Sequence, residues 1–149
     1  MWGEDLESVS AKAAWLADRM REIETREGRL PSIAVLVNSE DQVEPLTQAL
    51  NAALIEINYK AEACKDGKSL GSKETVRVFD IKHIKGLEFE AAFFVDMDAL
   101  VDAKPDLYGK YLYVGSTRAA TYFGLTFRQK IPPQLQLLEE HFELGWGVS

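Results

Sequence analysis

Hydrophobic positions follow a helical period at the start of the chain. Apolar side chains recur at alternating steps of three and four, which places them on one helix face: Leu6, Val9, Ala13, Leu16, Met20 and Ile23. Gly28 favours a helix end, and Pro31 prevents the helix from continuing. The pattern therefore predicts an amphipathic helix over Asp5–Glu27.

After this helix, short apolar runs alternate with helical segments. Ser32–Val37 is an apolar run rich in β-branched residues, typical of a strand buried on both faces. Further strands are predicted at Ile55–Ala61, Thr75–Ile81, Ala91–Asp96 and Tyr122–Phe127, and further helices over 39–54, Tyr108–Thr121 and Gln134–Phe142. This order predicts a three-layer α/β fold with a mostly parallel sheet and helices on both faces.

Polar residues follow three of the predicted strands. In parallel α/β sheets, ligands bind at the carboxyl ends of the strands. We therefore expect catalytic or ligand-binding residues in the segments after Asn38, Asp80 and Asp96.

Composition narrows the class of protein. The chain has 149 residues, enough for one domain with a real core, and its apolar runs are too short to span a bilayer. Its single cysteine, Cys64, excludes an internal disulfide and favours a reducing, cytoplasmic location. The net charge of -7 argues against tight, independent binding of nucleic acid.

Several simple catalytic arrangements are absent or weak. Gly67-Lys68-Ser69 resembles the tail of a phosphate-binding P-loop, but Glu62 stands where its first glycine belongs. Asp96 and Asp98 are carboxylates at a strand end, which we interpret as solvated acids rather than metal ligands. The segment from Cys64 to Lys73 is predicted to be a polar loop without a base to activate the thiol.

Two motifs, taken together, are specific. The first is His83-Ile84-Lys85-Gly86-Leu87-Glu88-Phe89-Glu90, and the second is Tyr111-Leu112-Tyr113-Val114-Gly115-Ser116-Thr117-Arg118-Ala119. In order and spacing they resemble motifs V and VI of the C-terminal (second) RecA-like domain of UvrD/Rep-type superfamily 1 DNA helicases. The resemblance covers most of the chain from Pro31 to Phe127 and implies a RecA-like fold that lacks the P-loop itself.

The resemblance also implies roles for individual residues at an ATP site. Arg118 matches the catalytic arginine that reaches the γ-phosphate of ATP from across the domain cleft, and Thr117 matches a neighbour that shapes its turn. Gly86 matches a glycine that allows close approach to the phosphates. Glu88 matches an acid that bonds the ribose or orders the arginine.

Nucleic-acid contacts are implied for Lys82, His83 and Lys85. Here the chain departs from the family pattern, because Asp80 and Lys82 stand where a threonine and a histidine usually contact DNA. An aspartate facing a phosphate backbone repels it, whereas a lysine retains a phosphate contact.

These implications define an expected function. We expect 1–30 to pack as a helix on a helicase C-terminal domain over 31–149, and a separate N-terminal RecA-like domain to supply the P-loop and Mg²⁺ ligands. ATP with Mg²⁺ then binds only between the two domains, single-stranded DNA binds weakly or not at all to this domain alone, and the isolated chain is inactive. Two alternatives are a stand-alone RecA-like interaction or regulatory module and, ranked lower, a metal-dependent phosphodiesterase built on Asp96 and Asp98.

Overall fold

The structure is a computed structural model that describes residues 2–64, 76–83 and 88–135, with only the backbone described for 114–120. Gly67-Lys68-Ser69 and almost all of the predicted helix Gln134–Phe142 lie outside the described residues. No helix in the described part of the chain is long and apolar enough to cross a membrane.

A sheet of six parallel strands forms the centre of the fold. The strands are β1 (Trp2–Gly3), β2 (Ile33–Val37), β3 (Ala61–Cys64), β4 (Val76–Asp80), β5 (Phe89–Phe94) and β6 (Ala119–Thr126). Their spatial order is β1-β6-β5-β2-β4-β3, and every pairing between the described strands is parallel. The predicted parallel sheet is confirmed, with the apolar strand β2 near its centre.

In the described part of the chain, four α-helices cover the sheet, and the ends of the first follow local sequence signals. They are α1 (Val9–Glu27), α2 (Val43–Leu54), α3 (Met97–Ala103) and α4 (Tyr108–Arg118). Helix α1 begins later than predicted because the Ser8 side chain caps it, accepting a hydrogen bond from the Ala11 amide at 3.1 Å. It ends as predicted at Gly28, whose left-handed φ of 81° suits glycine.

The two faces of β2 contribute to different hydrophobic clusters. Ile33, Val35 and Val37 pack with α1 and α2, whereas Ala34 and Leu36 pack with α3 and residues of α4. Side chains that alternate between two buried faces explain why this strand is apolar throughout. The result is a three-layer α/β/α domain in which the first helix, α1, is part of the core.

Three local features differ from the sequence prediction. The strand predicted at Ile55–Ala61 is wrong: residues Ile55–Ile57 form a 3₁₀ turn, and Asn58 adopts a left-handed φ of 61°. The next strand, β3, begins only at Ala61, and its last residue, Cys64, is buried rather than in a polar loop. Strand β1 and helix α3 have no counterpart in the prediction.

Gly124 allows strands β5 and β6 to pack beneath α1. Phe93 lies opposite Gly124 in the sheet and makes an edge-on contact with Trp15, with ring centroids 6.1 Å apart. A Cβ at position 124 would lie 2.5 Å from Phe93 Cδ1. The Phe93 ring is fully buried, so it has little room to move.

We predict that Gly124→Ala lowers the free energy of unfolding by about 1–3 kcal/mol through overpacking. Urea denaturation followed by circular dichroism measures this change. The matched control is Gly109→Ala in α4, where the added Cβ meets nothing within 4 Å. A Gly124→Ala variant as stable as the Gly109→Ala variant would contradict the packing argument.

Candidate functional site

All six described strands run in one direction, so the sheet has an amino end where strands start and a carboxyl end where they finish. The sequence-predicted site residues divide between these two ends. Glu88, Thr117 and Arg118 come immediately before strands, whereas Lys82 and His83 come immediately after one. The first group therefore lies at the amino end of the sheet, whereas the sequence analysis expected chemistry at the carboxyl ends of the strands.

At the amino end, strand pairing brings the two motifs together. Phe89 of β5 is the register partner of Ala119 of β6. Glu88 and Arg118 each precede one member of this pair, so their backbones meet at the same end of neighbouring strands. Glu88 is exposed, α4 contains Thr117 and ends at Arg118, and the side chains of 114–120 lie outside the described set. Gly86 also lies outside it.

Hydrogen bonds connect the surrounding strands at this end. The Glu90 amide donates to Ser32 Oγ at 3.1 Å, and the Thr121 hydroxyl donates to Glu90 Oε1 at 3.3 Å. The Tyr122 hydroxyl donates to Glu27 Oε1 at 2.5 Å. These bonds link β5 to β2 and β6, and β6 to α1, and so fix the strand starts that flank Glu88 and Arg118.

Lys82 and His83, which follow β4 at its carboxyl end, both face carboxylates. Lys82 Nζ lies 3.5 Å from Asp80 Oδ2, and His83 Nε2 lies 3.8 Å from Glu40 Oε2. Lys82 is largely exposed, and His83 is partly exposed. A phosphate at this end must therefore compete with carboxylates of the same chain. Lys85, the third predicted nucleic-acid contact, lies outside the described residues.

The sequence analysis predicted that Asp80 faces outward and repels a phosphate backbone. In the structure its side chain faces inward. Its side chain is fully buried, and its Oδ1 accepts the Lys82 amide at 3.0 Å. The side chain thus stabilises the turn that follows β4. Its position is explained by this backbone bond rather than by phosphate contact.

Asp96 joins four elements of the fold at the carboxyl end of β5. Its Oδ2 accepts Lys12 Nζ at 2.7 Å, its amide donates to Thr126 Oγ1 at 3.0 Å, and its carbonyl accepts Asn38 Nδ2 at 3.0 Å. Burial raises the pKa of Asp96 above its ordinary value of 3.8, although Lys12 acts in the opposite direction. Asp96 also has a left-handed φ of 59°, which aspartate tolerates better than most residues.

Asp98 holds the start of α3 against the segment after β6. Its Oδ1 accepts the amides of Ala99 and Arg128 at 3.0 Å each, and its Oδ2 accepts the Gln129 amide at 3.1 Å. The interpretation of Asp96 and Asp98 as solvated acids is therefore wrong, since both are buried and bonded within the protein. The described residues contain no group of three or more His, Cys, Asp or Glu that could hold a metal ion.

The Cys64 thiol is a poor nucleophile in this structure. Burial, followed by the charge of Glu62, raises its pKa to about 11, and the charge of Arg77 offsets this only in part. Because the thiolate is the reactive form, the thiol is inert near neutral pH.

The fold belongs to the α/β class with a single parallel sheet and is consistent with a RecA-like domain. The structure is similar to the C-terminal domain of a possible DNA helicase from Lactobacillus plantarum WCFS1, with a TM-score of 0.68 and 20% sequence identity. The similarity covers 90% of this chain and 75% of that one. At this identity, the likeness shows the fold alone.

A family comparison adds information from the sequence. Residues 75–126 match the model of the UvrD-like helicase C-terminal domain. A search of curated proteins gives no match. The family match and the structural likeness together confirm the predicted resemblance to the C-terminal domain of UvrD-like helicases.

We predict that Lys12→Met lowers the free energy of unfolding by about 3–5 kcal/mol at pH 7, because it leaves Asp96 charged and buried without its partner. Removing Lys12 also raises the pKa of Asp96 further, while Asp98 continues to raise it and Arg128 to lower it. A raised folded-state pKa destabilises the folded protein as the pH rises through it. The loss relative to wild type should therefore shrink as the pH is lowered toward the ordinary pKa.

Urea unfolding of the wild type and of Lys12→Met, at several values between pH 7 and pH 4, measures how the difference in stability depends on pH. Lys130→Met is the matched control, since its partner Asp5 is exposed and the pair contributes little. A Lys12→Met deficit that does not change with pH would contradict the role assigned to Asp96.

Proposed function

We propose that this domain completes an ATP site from one side, with Arg118 as the catalytic residue and Glu88, Thr117 and Gly86 as its neighbours. The observation that carries the proposal is the pairing of Phe89 with Ala119, which joins the two helicase-like motifs at one end of the sheet. The match of residues 75–126 to the UvrD-like helicase C-terminal domain supports it independently.

The chemistry of phosphoryl transfer explains the choice of Arg118. Charge spreads over the phosphoryl oxygens in the transition state, and a guanidinium that meets them there accelerates the reaction by about 10³–10⁵-fold. In this proposal Glu88 either bonds the ribose of ATP or orients the guanidinium by a charge-assisted hydrogen bond. The backbone of Arg118 is fixed in position, because this residue ends α4 and directly precedes the paired strand β6.

The rest of the ATP site belongs to a second domain in this proposal. The described residues offer no metal cluster and the sequence offers no complete P-loop, so a partner domain supplies the phosphate-binding loop and the Mg²⁺ ligands. A bound Mg²⁺ would neutralise part of the charge on the phosphates. The 149-residue chain alone is then expected to lack ATPase activity.

A weaker contact with single-stranded DNA is proposed at the other end of the sheet. Lys82 and His83 are accessible there, and their pairing with Asp80 and Glu40 explains why the affinity should be low. Net charge works in the same direction, because -7 opposes the approach of a polyanion. Most of the affinity for single-stranded DNA would come from the partner domain.

We predict that Arg118→Ala lowers kcat for ATP hydrolysis about 10³-fold or more in the protein that carries both domains. Single-strand affinity should change by less than about twofold, since the arginine acts on the phosphoryl group and not on DNA. Steady-state ATPase assays and fluorescence anisotropy measure the two effects. Arg128→Ala, an exposed arginine after β6 at the opposite end of the sheet, is the control. Equal turnover in wild type and Arg118→Ala would overturn the assignment.

We predict that Lys82→Gln weakens single-strand binding and reduces the slope of log affinity against log salt by about 0.7, the loss of one phosphate contact. Anisotropy titrations with an oligonucleotide at several salt concentrations measure the slope. Lys60→Gln removes the same charge from an exposed position before β3, at the other end of the sheet, and should leave the slope unchanged. Identical slopes for the two variants would remove Lys82 from the binding surface.

A further inference from the structure

The pairing of β5 with β6 is irregular next to Arg118. Phe89 pairs with Ala119, the residue after Arg118, but the next register pair joins Ala91 to Tyr122. Strand β6 therefore advances by three residues, from 119 to 122, where β5 advances by two, from 89 to 91. The extra residue forms a bulge. Bulges are rare between parallel strands and occur preferentially beside functional sites, where they change the direction of a neighbouring side chain.

The backbone of β5 opposite the bulge is held from its other side by Ser32. Ser32 Oγ accepts the Glu90 amide, and the Ser32 carbonyl oxygen accepts the Ala91 amide, each at 3.1 Å. Glu90 lies between the two register positions that bracket the bulge. Because two successive amides are bonded to one residue before β2, the backbone of Glu90 is a fixed reference for the neighbouring strand β6.

Two side-chain contacts hold β6 on either side of the extra residue. The Thr121 hydroxyl donates to Glu90 Oε1 at 3.3 Å and lies 3.5 Å from Oε2, so it joins the bulge to β5. Tyr122 is buried, and its hydroxyl donates to Glu27 Oε1 at 2.5 Å. The residue that ends the bulge is therefore anchored to α1, while Thr121 connects the bulge itself to Glu90.

We propose that Glu90 is a positioning residue, which holds the bulge closed through Thr121 and so fixes the backbone of Arg118 relative to Glu88. This inference rests on the proposed ATP site, in which Arg118 is the catalytic residue. A guanidinium acts on a phosphoryl group only in the correct geometry, and a misplacement of about 1 Å can lower a rate about 100-fold. Glu90 does not touch ATP in this arrangement and acts only through the bulge.

The contact between Thr121 and Glu90 suits positioning better than stabilisation. Thr121 is exposed and Glu90 is partly exposed, so removal of the contact leaves no buried polar group without a partner. A single hydrogen bond of this kind shifts a local equilibrium by about tenfold at most. We therefore expect a moderate change in turnover with little change in resistance to unfolding.

The first test compares Thr121→Val with Thr121→Ser in the protein that carries both domains. Valine keeps the branched shape of threonine but cannot donate a hydrogen bond, whereas serine keeps the hydroxyl. We expect Thr121→Val to lower kcat for ATP hydrolysis about three- to tenfold and to change KM for ATP by less than about twofold. Thr121→Ser should stay near wild type. Unchanged kcat in Thr121→Val, or an equal loss in Thr121→Ser, would overturn the proposal.

A double-mutant cycle tests whether Glu90 is the partner through which Thr121 acts. Glu90→Met removes the acceptor at similar side-chain length and should lower kcat by the same factor as Thr121→Val. Glu90→Gln keeps an acceptor oxygen and should retain activity. If the two residues act only through each other, Thr121→Val causes no further loss when Glu90→Met is already present. Losses that multiply in the double variant would exclude this contact as their cause.

A spectroscopic readout separates this inference from the proposed ATP site. In ¹H–¹⁵N spectra of the 149-residue chain, the Thr117 and Arg118 amides should shift in Thr121→Val and stay near their wild-type positions in Thr121→Ser. Urea unfolding of both variants should match that of the wild type. Normal turnover in Arg118→Ala would overturn the ATP site and this inference together. An inactive Arg118→Ala combined with unshifted amides in Thr121→Val would overturn this inference alone.

Discussion

The structure depends on the contacts that converge on Asp96. Asp96 bonds α1 through Lys12, the segment after β2 through Asn38, and β6 through Thr126. It does so at a left-handed turn that directs the chain from β5 into α3. A buried ion pair contributes less to net stability than its short distance suggests, because both charges lose water. We expect its larger effect to be on specificity, since Lys12 reaches Asp96 only when α1 lies in this one position. The first helix is thereby tied to the strand ends that carry the polar residues.

Elements defined by local signals could be predicted from the sequence. Helix α1 has a continuous apolar stripe and a glycine at its end, and β2 is apolar because both of its faces are buried. Strand β3 was misplaced because Ile55 and Ile57 suggest a strand, yet Ile55 is 70% exposed and lies in a 3₁₀ turn. Strand β1 is only two residues long and exists by pairing with β6 at the far end of the chain. Such pairing leaves no periodic signal in the sequence.

The motifs of the candidate site could be recognised in the sequence, but their arrangement in space could not. The two motifs were visible as sequence, whereas the Phe89–Ala119 register that joins them is a long-range property of the sheet. The burial of the acidic residues could not be predicted from the sequence either. Asp80, Asp96 and Asp98 follow strands as solvated carboxylates would, and only the fold reveals the amides and the ammonium group that hold them inside. Polar residues at strand ends therefore identify a region of interest without saying whether its role is structural.

The net charge of the chain does not by itself decide what each end of the sheet binds, and this reconciles a strongly acidic domain with a proposed role beside a triphosphate. Asp80 and Asp96 at the carboxyl end are bonded within a turn and an ion pair of the same chain. At the amino end, Arg118 stands at the point where α4 enters the sheet. Because screening limits charge interactions to about 8–10 Å at physiological salt, the local arrangement at each end matters more than the net charge of the chain. A parallel sheet with buried faces holds these two ends apart. The proposed ATP contact and the proposed DNA contact therefore lie on separate surfaces of one small domain.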